Sequence, residues 1–245
     1  MASKREPLSF DLQEQLEELA TCEISDALVK LGYRTGGHIP HLNIYSPREI
    51  ERVRLVGRAF TVKLVEQEKT GEEGTNGPKT QEHFVDAAPE QSIMLISPDS
   101  AHRAACWGGL MSTAAKSKGM KGAVILGGCR DLAEHRQLGF PVFAQFHSTL
   151  GLRTFLRPSE YDIPLEIPVE SIVEPRTGLE NKGKTIVNPG DILVGDIDGV
   201  VVIPFDKVEE VIKVAQEGKA VDEKVRIDLE KGKGVRETMK KWRGT

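Results

Sequence analysis

The chain has 245 residues, 39% of them hydrophobic and 29% charged, with a net charge of −4; that is enough for one full core, and nothing in the balance favours nucleic acid or an anionic membrane as a partner. No apolar run approaches the roughly 20 residues that span a bilayer, and residues 1–11 lack the apolar centre of a secretory signal. Three cysteines without CxxC spacing (Cys22, Cys106, Cys129) argue against a disulfide framework or a structural zinc, so a reducing cytoplasm is the expected compartment.

Leu12, Leu16, Leu19 and Ala20 fall at helical spacing, as do Ile24, Leu28 and Leu31 before Gly32. This predicts two short helices, or one broken near Thr21. Residues 36–47 carry Gly, Pro and Asn and read as loop. Residues 53–65 are rich in β-branched and apolar side chains and read as a strand with Gly57 inside it. Residues 66–80 are polar, glycine-rich and without apolar period, the best candidate for a mobile loop or insertion.

The middle of the chain then alternates: strand 92–97, helix 109–118, strand 122–126, helix 131–138, strand 141–146. Such alternation predicts an α/β core with parallel strands. From residue 163 the texture changes, with strand signals at 163–173 and 186–203 punctuated by Pro and Gly. Residues 208–229 read as a long charged helix with a narrow apolar stripe of Val208, Val211, Ile212 and Ala215. The basic tail (Lys231, Lys233, Arg236, Lys240, Lys241, Trp242, Arg243) reads as a solvated end or an inter-subunit arm. One tryptophan without a groove makes RNA contact the weaker reading. No internal repeat is present.

The stretch Gly127-Gly128-Cys129-Arg130-Asp131-Leu132-Ala133-Glu134 is the most informative. A buried strand is expected to end in two glycines, after which an arginine-carboxylate pair opens a helix. Such a junction presents backbone N–H groups to an anion. Arg130 adds a fixed cation and Asp131 a hard oxygen ligand, a combination suited to a small carboxylate beside Mg²⁺ or Mn²⁺. A second helix start follows Trp107-Gly108-Gly109-Leu110, and in a parallel sheet both starts share the carboxyl-terminal edge. Glu134, one turn on and on the same face as Asp131, is placed to ligate, to orient a metal-bound water or to carry a proton. The same acids are also ordinary capping choices.

Other candidates are weaker. Lys63 and Lys121 flank strands, but a Schiff-base lysine needs desolvation. His135 reads as a helix-surface histidine without a role, and the remaining histidines form no HxH or HExxH pair. Cys129 reads as a small buried side chain, Trp107 as packing, and Asp196 with Asp198 as turn formers.

In consistent order from about residue 25 to 231, the chain resembles the RraA-like family. That family holds the 4-hydroxy-4-methyl-2-oxoglutarate/4-carboxy-4-hydroxy-2-oxoadipate aldolases and the regulator of ribonuclease activity A. The resemblance is carried by Ser25-Asp26-Ala27-Leu28, Gly57-Arg58-Ala59-Phe60-Thr61-Val62, the two glycine motifs above, Phe140-Pro141-Val142-Phe143-Ala144, Asn188-Pro189-Gly190-Asp191, and Asp196-Ile197-Asp198-Gly199 with Val200-Val201-Val202-Ile203-Pro204.

The resemblance implies one swivelling β/β/α-type domain over 1–245, with N-terminal helices and a C-terminal helix and tail at 206–245. It implies a trimer or a dimer of trimers with active sites between subunits. It further implies a divalent-metal class II aldolase that cleaves 4-hydroxy-2-oxo diacids to pyruvate, decarboxylates oxaloacetate, or both. The alternative it leaves open is a non-catalytic protein that modulates an RNA-degrading enzyme. Arg130 matches the arginine on pyruvate's oxygens, Asp131 the metal ligand, and the backbone of Gly108, Gly109, Leu110 and Met111 the substrate-carboxylate site. A neighbouring subunit's C-terminal helix supplies a carboxylate, best matched by Glu223, with Asp222 or Glu217 also possible matches. Many family aldolases carry aspartate where this chain has Gly109, and Glu134 resembles the acid of the subgroup with glycine there.

Overall fold

The computed structural model describes residues 6–67, 82–100, 102–173 and 180–244. The proposed mobile loop at 66–80 lies outside the described residues from 68 onward. The chain opens with helices α1 (Phe10–Glu17) and α2 (Thr21–Lys30), then edge strands β1 (His38–Ile39) and β2 (Asn43–Ser46), the long strand β3 (Leu55–Glu66) and a one-turn helix α3 (Phe84–Ala87). The central unit follows: β4 (Ser92–Pro98), β5 (Ala105–Trp107), α4 (Gly109–Ser117), β6 (Gly122–Cys129), α5 (Leu132–Leu138) and β7 (Val142–His147). The remainder is β8 (Leu156–Tyr161), β9 (Leu165–Val173), β10 (Glu180–Val187), β11 (Ile192–Asp196), β12 (Gly199–Ile203), the long helix α6 (Val208–Glu230) and α7 (Val235–Arg243).

Ten of these strands form one mixed sheet in the order β1-β12-β11-β3-β4-β6-β7-β2, with β8 also on β3 and β5 also on β6. β3, β4, β6 and β7 run parallel, as does β5 beside β6. β9 and β10 make a separate antiparallel pair.

Alternation along the strands defines the layers. Ile93 and Leu95 of β4, Val124 of β6 and Val200 and Val202 of β12 face one side, where Leu165, Ile167 and Val187 of the small sheet cover them. Met94, Ile96, Ala123 and Ile125 face the other side, towards α3 and α4. Val201, Ile203, Ile192 and Val194 on that same side meet α1, α2 and the stripe Val208, Val211, Ile212 and Ala215 of α6. Small sheet, large sheet and helices are therefore stacked, the β/β/α arrangement expected. Each large apolar side chain so buried stabilises the fold by roughly 1.5–3 kcal/mol.

Several expectations need correction. Residues 36–47 are not all loop, because β1 pairs with β12 and β2 with β7 at the two edges of the sheet, where Pro and Asn are tolerated. β5 and β8 were not anticipated; β8 holds Pro158 and pairs only with β3 among the described strands. Gly127 and Gly128 do not end the strand, since β6 continues to Cys129. A Cβ on Gly128 would lie 2.6 Å from the Phe146 ring, so that glycine admits a neighbouring side chain rather than a ligand. The basic tail is exposed over most of its length and is also anchored: residues 235–243 form α7, which folds back on α6, where the Asp228 carboxylate accepts from Lys233 (2.7 Å), Lys241 (3.1 Å) and Trp242 Nε1 (2.9 Å).

The turn acids act as read. Asp196, buried, caps α2 from across the chain: it accepts from Thr21 N–H (2.9 Å), Thr21 Oγ1 (2.7 Å) and Asp198 N–H (2.9 Å). α2 begins at this point because Glu23 also accepts from Ala20 N–H at 2.9 Å. Asp191 ties the Asn188-Pro189-Gly190 turn to the entry of α6 through Asn188 N–H (2.8 Å) and Phe205 N–H (3.1 Å).

Candidate active site

The chain leaves β6 at Arg130, whose N–H donates to Trp107 O at 3.0 Å, so the exits of β5 and β6 are held together. Both following helices then start at one sheet edge, as the sequence predicts. Asp131, the residue before α5, adopts a left-handed backbone (φ 60°, ψ 42°), a conformation aspartate tolerates better than most residues. Its carbonyl accepts from Glu134 N–H (3.0 Å) and starts α5.

The Asp131 side chain does not cap its own helix. Oδ2 accepts from Gly109 N–H of α4 at 3.0 Å and lies 3.4 Å from Arg130 Nε. Gly108 makes room for this cluster, because a Cβ there would lie 2.7 Å from Asp131 Oδ2 and 3.3 Å from Arg130 Nε. At Gly109 a Cβ would overlap Glu134 Oε2 and lie 2.6 Å from Glu134 Cδ. Arg130, Asp131, Gly108, Gly109 and Glu134 are thus brought together. Both Arg130 and Asp131 remain partly open to solvent, with side chains 45% and 35% exposed.

The backbone cradle is narrower than expected. Gly109 N–H is engaged by Asp131 and Met111 N–H returns to Gly108 O at 3.1 Å. Leu110 N–H, in the first turn of α4, has no partner among the described residues and points with the positive helix end. The Leu110 side chain is 77% exposed beside it.

No group of three His, Cys, Asp or Glu that could hold a metal occurs among the described residues. Asp131 Oδ1 has no partner among them, and Glu134 stands one helical turn along. One or two carboxylates with water and substrate oxygens is the usual Mg²⁺ set, so the residues present fit such an ion without a protein-only cage.

Glu223 is not brought to this cluster. It lies on α6, which packs on α1, α2 and α7, and it faces Arg226 at 3.2 Å. Asp222 is engaged by Arg243 Nε at 2.9 Å, and Glu217 lines a cleft between α2 and α6.

The weaker candidates resolve. Trp107 is buried and donates to Ser112 Oγ at 2.8 Å, a packing role. Burial pushes the Cys129 thiol up to about 12, which removes it as a nucleophile. His135 is not on the surface: it is fully buried, and desolvation lowers its pKa, which keeps it neutral. Lys121 precedes β6, at the sheet edge opposite Arg130.

Sequence reasoning missed the segment after β7. Ser148 N–H donates to Cys129 O (2.9 Å) and Ala105 N–H to Leu150 O (2.8 Å), which lays residues 148–151 across the same edge. A Cβ on Gly151 would lie 2.6 Å from Arg130 Nη1, so that glycine seats the guanidinium. Its only signal in the sequence was a Ser-Thr-Leu-Gly turn composition.

A family model described as Aldolase/RraA, RraA-like, matches residues 21–202. The chain belongs to the RraA-like family. It is 27% identical over 224 residues to Protein DlpA of Legionella pneumophila, a match covering 91% of this chain but 32% of that protein, so the chain spans about a third of that relative. It is 27% identical over 214 residues to a Halalkalibacterium halodurans protein provisionally named 4-hydroxy-4-methyl-2-oxoglutarate aldolase, covering 87% of this chain and 86% of that one. Streptomyces coelicolor RraAS2, described as an unusual member of the RNase ES inhibitor RraA family, shares the fold with a TM-score of 0.69 at 21% identity, covering 91% of this chain and 98% of that one. No helix among the described residues of this RraA-like protein is long and apolar enough to cross a membrane.

Proposed function

We propose that this protein is a divalent-metal-dependent lyase of 2-oxo acids, acting as an aldolase on 4-hydroxy-2-oxo diacids, as an oxaloacetate decarboxylase, or both. The observation that carries the reading is the convergence of Arg130, Asp131 and Glu134 around Gly108 and Gly109 at one sheet edge. The aldolase name of the H. halodurans relative supports it.

Retro-aldol cleavage and β-decarboxylation both place negative charge on the keto oxygen of the departing pyruvate. Arg130 donates to that oxygen, and its planar fork meets developing charge in a fixed geometry. Leu110 N–H at the start of α4 binds the substrate carboxylate. Asp131, with Glu134 beside it, would hold Mg²⁺ or Mn²⁺, which supplies Lewis-acid polarisation of the 2-oxo acid when bound. Glu134 moves the proton of the 4-hydroxyl. Glu223 of a second subunit completes the site in a trimer or dimer of trimers.

The test is a metal-titrated assay with oxaloacetate and 4-hydroxy-4-methyl-2-oxoglutarate in parallel. Pyruvate release that depends on Mg²⁺ or Mn²⁺ and is abolished by EDTA is expected. Binding of an RNA-degrading enzyme with no turnover of any 2-oxo acid would favour the non-catalytic reading instead.

A further inference from the structure

A cleft of about 620 Å³ opens beside Arg130. Arg130, Arg153 and Arg157 are among the residues that line it, and no acidic residue lines it among the described residues. The rest of its wall is mostly apolar, with Leu152, Phe155 and Pro158 among its residues. Neither Arg153 nor Arg157 has an ion-pair partner among the described residues, whereas Lys184, Lys207, Lys219, Arg226 and Arg243 each face an acid.

The two arginines sit on fixed backbone. Arg153 lies in a turn closed by Phe155 N–H and Leu156 N–H, which both donate to Leu152 O (2.9 and 3.0 Å). Arg157 is in β8, in register with Val65 of β3, and Gln67 N–H donates to Phe155 O at 2.8 Å. The cleft wall is joined to the catalytic edge by the bond from Ala105 N–H to Leu150 O. Arg130 has Asp131 beside it at 3.4 Å, but Arg153 and Arg157 have no such counter-charge among the described residues, and an anion from solution relieves the repulsion between like charges on one wall.

We infer that Arg153 and Arg157 are specificity-determining residues that hold the distal carboxylate of the substrate, whose 2-oxo end sits at Arg130 and Asp131. This rests on the function proposed above and deepens it. The cleft selects a 2-oxo acid with a second carboxylate beyond the bond that breaks. A 2-oxo acid ending in a methyl group leaves both guanidiniums unmatched.

The experiment compares 4-hydroxy-4-methyl-2-oxoglutarate with 4-hydroxy-2-oxopentanoate, which keeps the 2-oxo-4-hydroxy head and lacks the distal carboxylate. Both are assayed with Mn²⁺ on wild type, Arg153→Gln, Arg157→Gln, the double variant and Arg157→Lys. Calorimetric affinities for 2-oxoglutarate and 2-oxobutyrate are measured in parallel as a readout without turnover. Wild type prefers the diacid. Each glutamine variant lowers the diacid-to-monoacid ratio of kcat/KM by about 10- to 100-fold, chiefly through KM, as loss of a charged hydrogen bond predicts. Lysine at 157 recovers part of the ratio. A folded double variant, by circular dichroism, that keeps the full diacid preference in both turnover and affinity overturns the subsite while the lyase reading stands. A wild type that cleaves neither acid, and exchanges no methyl proton of pyruvate for deuterium with Mn²⁺, overturns the lyase reading itself.

Discussion

The Glu134 carboxylate occupies the space that a side chain on Gly109 would need: a Cβ there would stand 2.6 Å from Glu134 Cδ and 2.9 Å from its Cβ. One position is thus empty so that another, on the neighbouring helix, can fill it. Gly109→Ala should push Glu134 out and lower turnover by at least about tenfold, towards the level of Glu134→Ala. Gly109→Asp combined with Glu134→Ala restores a carboxylate from the other helix and should recover part of the loss. Equal inactivity of the double variant and Glu134→Ala, measured with oxaloacetate, would separate the acid's role from its placement.

Arg130→Lys should reduce kcat/KM about 10²–10³-fold, because a point charge does not replace a planar two-pronged donor. Asp131→Asn should keep a hydrogen-bond acceptor for Gly109 N–H while losing the anionic oxygen. Its expected signature is weakened Mn²⁺ dependence, read by titrating the ion during turnover. Unchanged ion dependence removes Asp131 as a ligand and leaves it as the cap of α4.

Asp196 provides the contrast. It spends its carboxylate on Thr21 and on the backbone of Asp198, so Asp196→Ala should cost about 1–3 kcal/mol of stability by leaving buried donors unmatched. Thermal melting reads the loss, and the metal dependence of turnover by the surviving folded protein should match wild type.

Asp228 joins α7 to α6, and its lysine and tryptophan donors hold its pKa well below the usual carboxylate range. A carboxylate depressed in the folded state contributes stability above its unfolded pKa near 3.9 and loses it as the pH falls towards the folded value. Asp228→Asn should therefore melt earlier than wild type at pH 7, and the gap should narrow only below about pH 4. A gap that already closes at pH 6 would point to another group.

Much of this architecture was legible from period alone. Ile93, Leu95, Met94 and Ile96 alternate between two cores, and Val208, Val211, Ile212 and Ala215 draw one stripe on α6. The pairing of Arg130 with Asp131 at the end of β6 followed from a strand running into a helix start. What was not legible depends on partners distant in sequence. Gly128 looked like a ligand-facing turn because Phe146, which fills its space, arrives only after another helix and into another strand. The anchoring of the tail was not legible because nothing in its composition names Asp228 as its partner. Arg153 and Arg157 carried no signal, since a sequence does not say which arginines share a wall with Arg130.

The left-handed bend at Asp131 has a consequence for how such a protein changes over time. Glycine adopts that bend with the least strain, yet glycine there would erase the acid. A change to glycine at this corner would gain backbone comfort and lose the bond to Gly109 N–H and the contact with Arg130 Nε, so drift there is opposed by the join between the two helix starts.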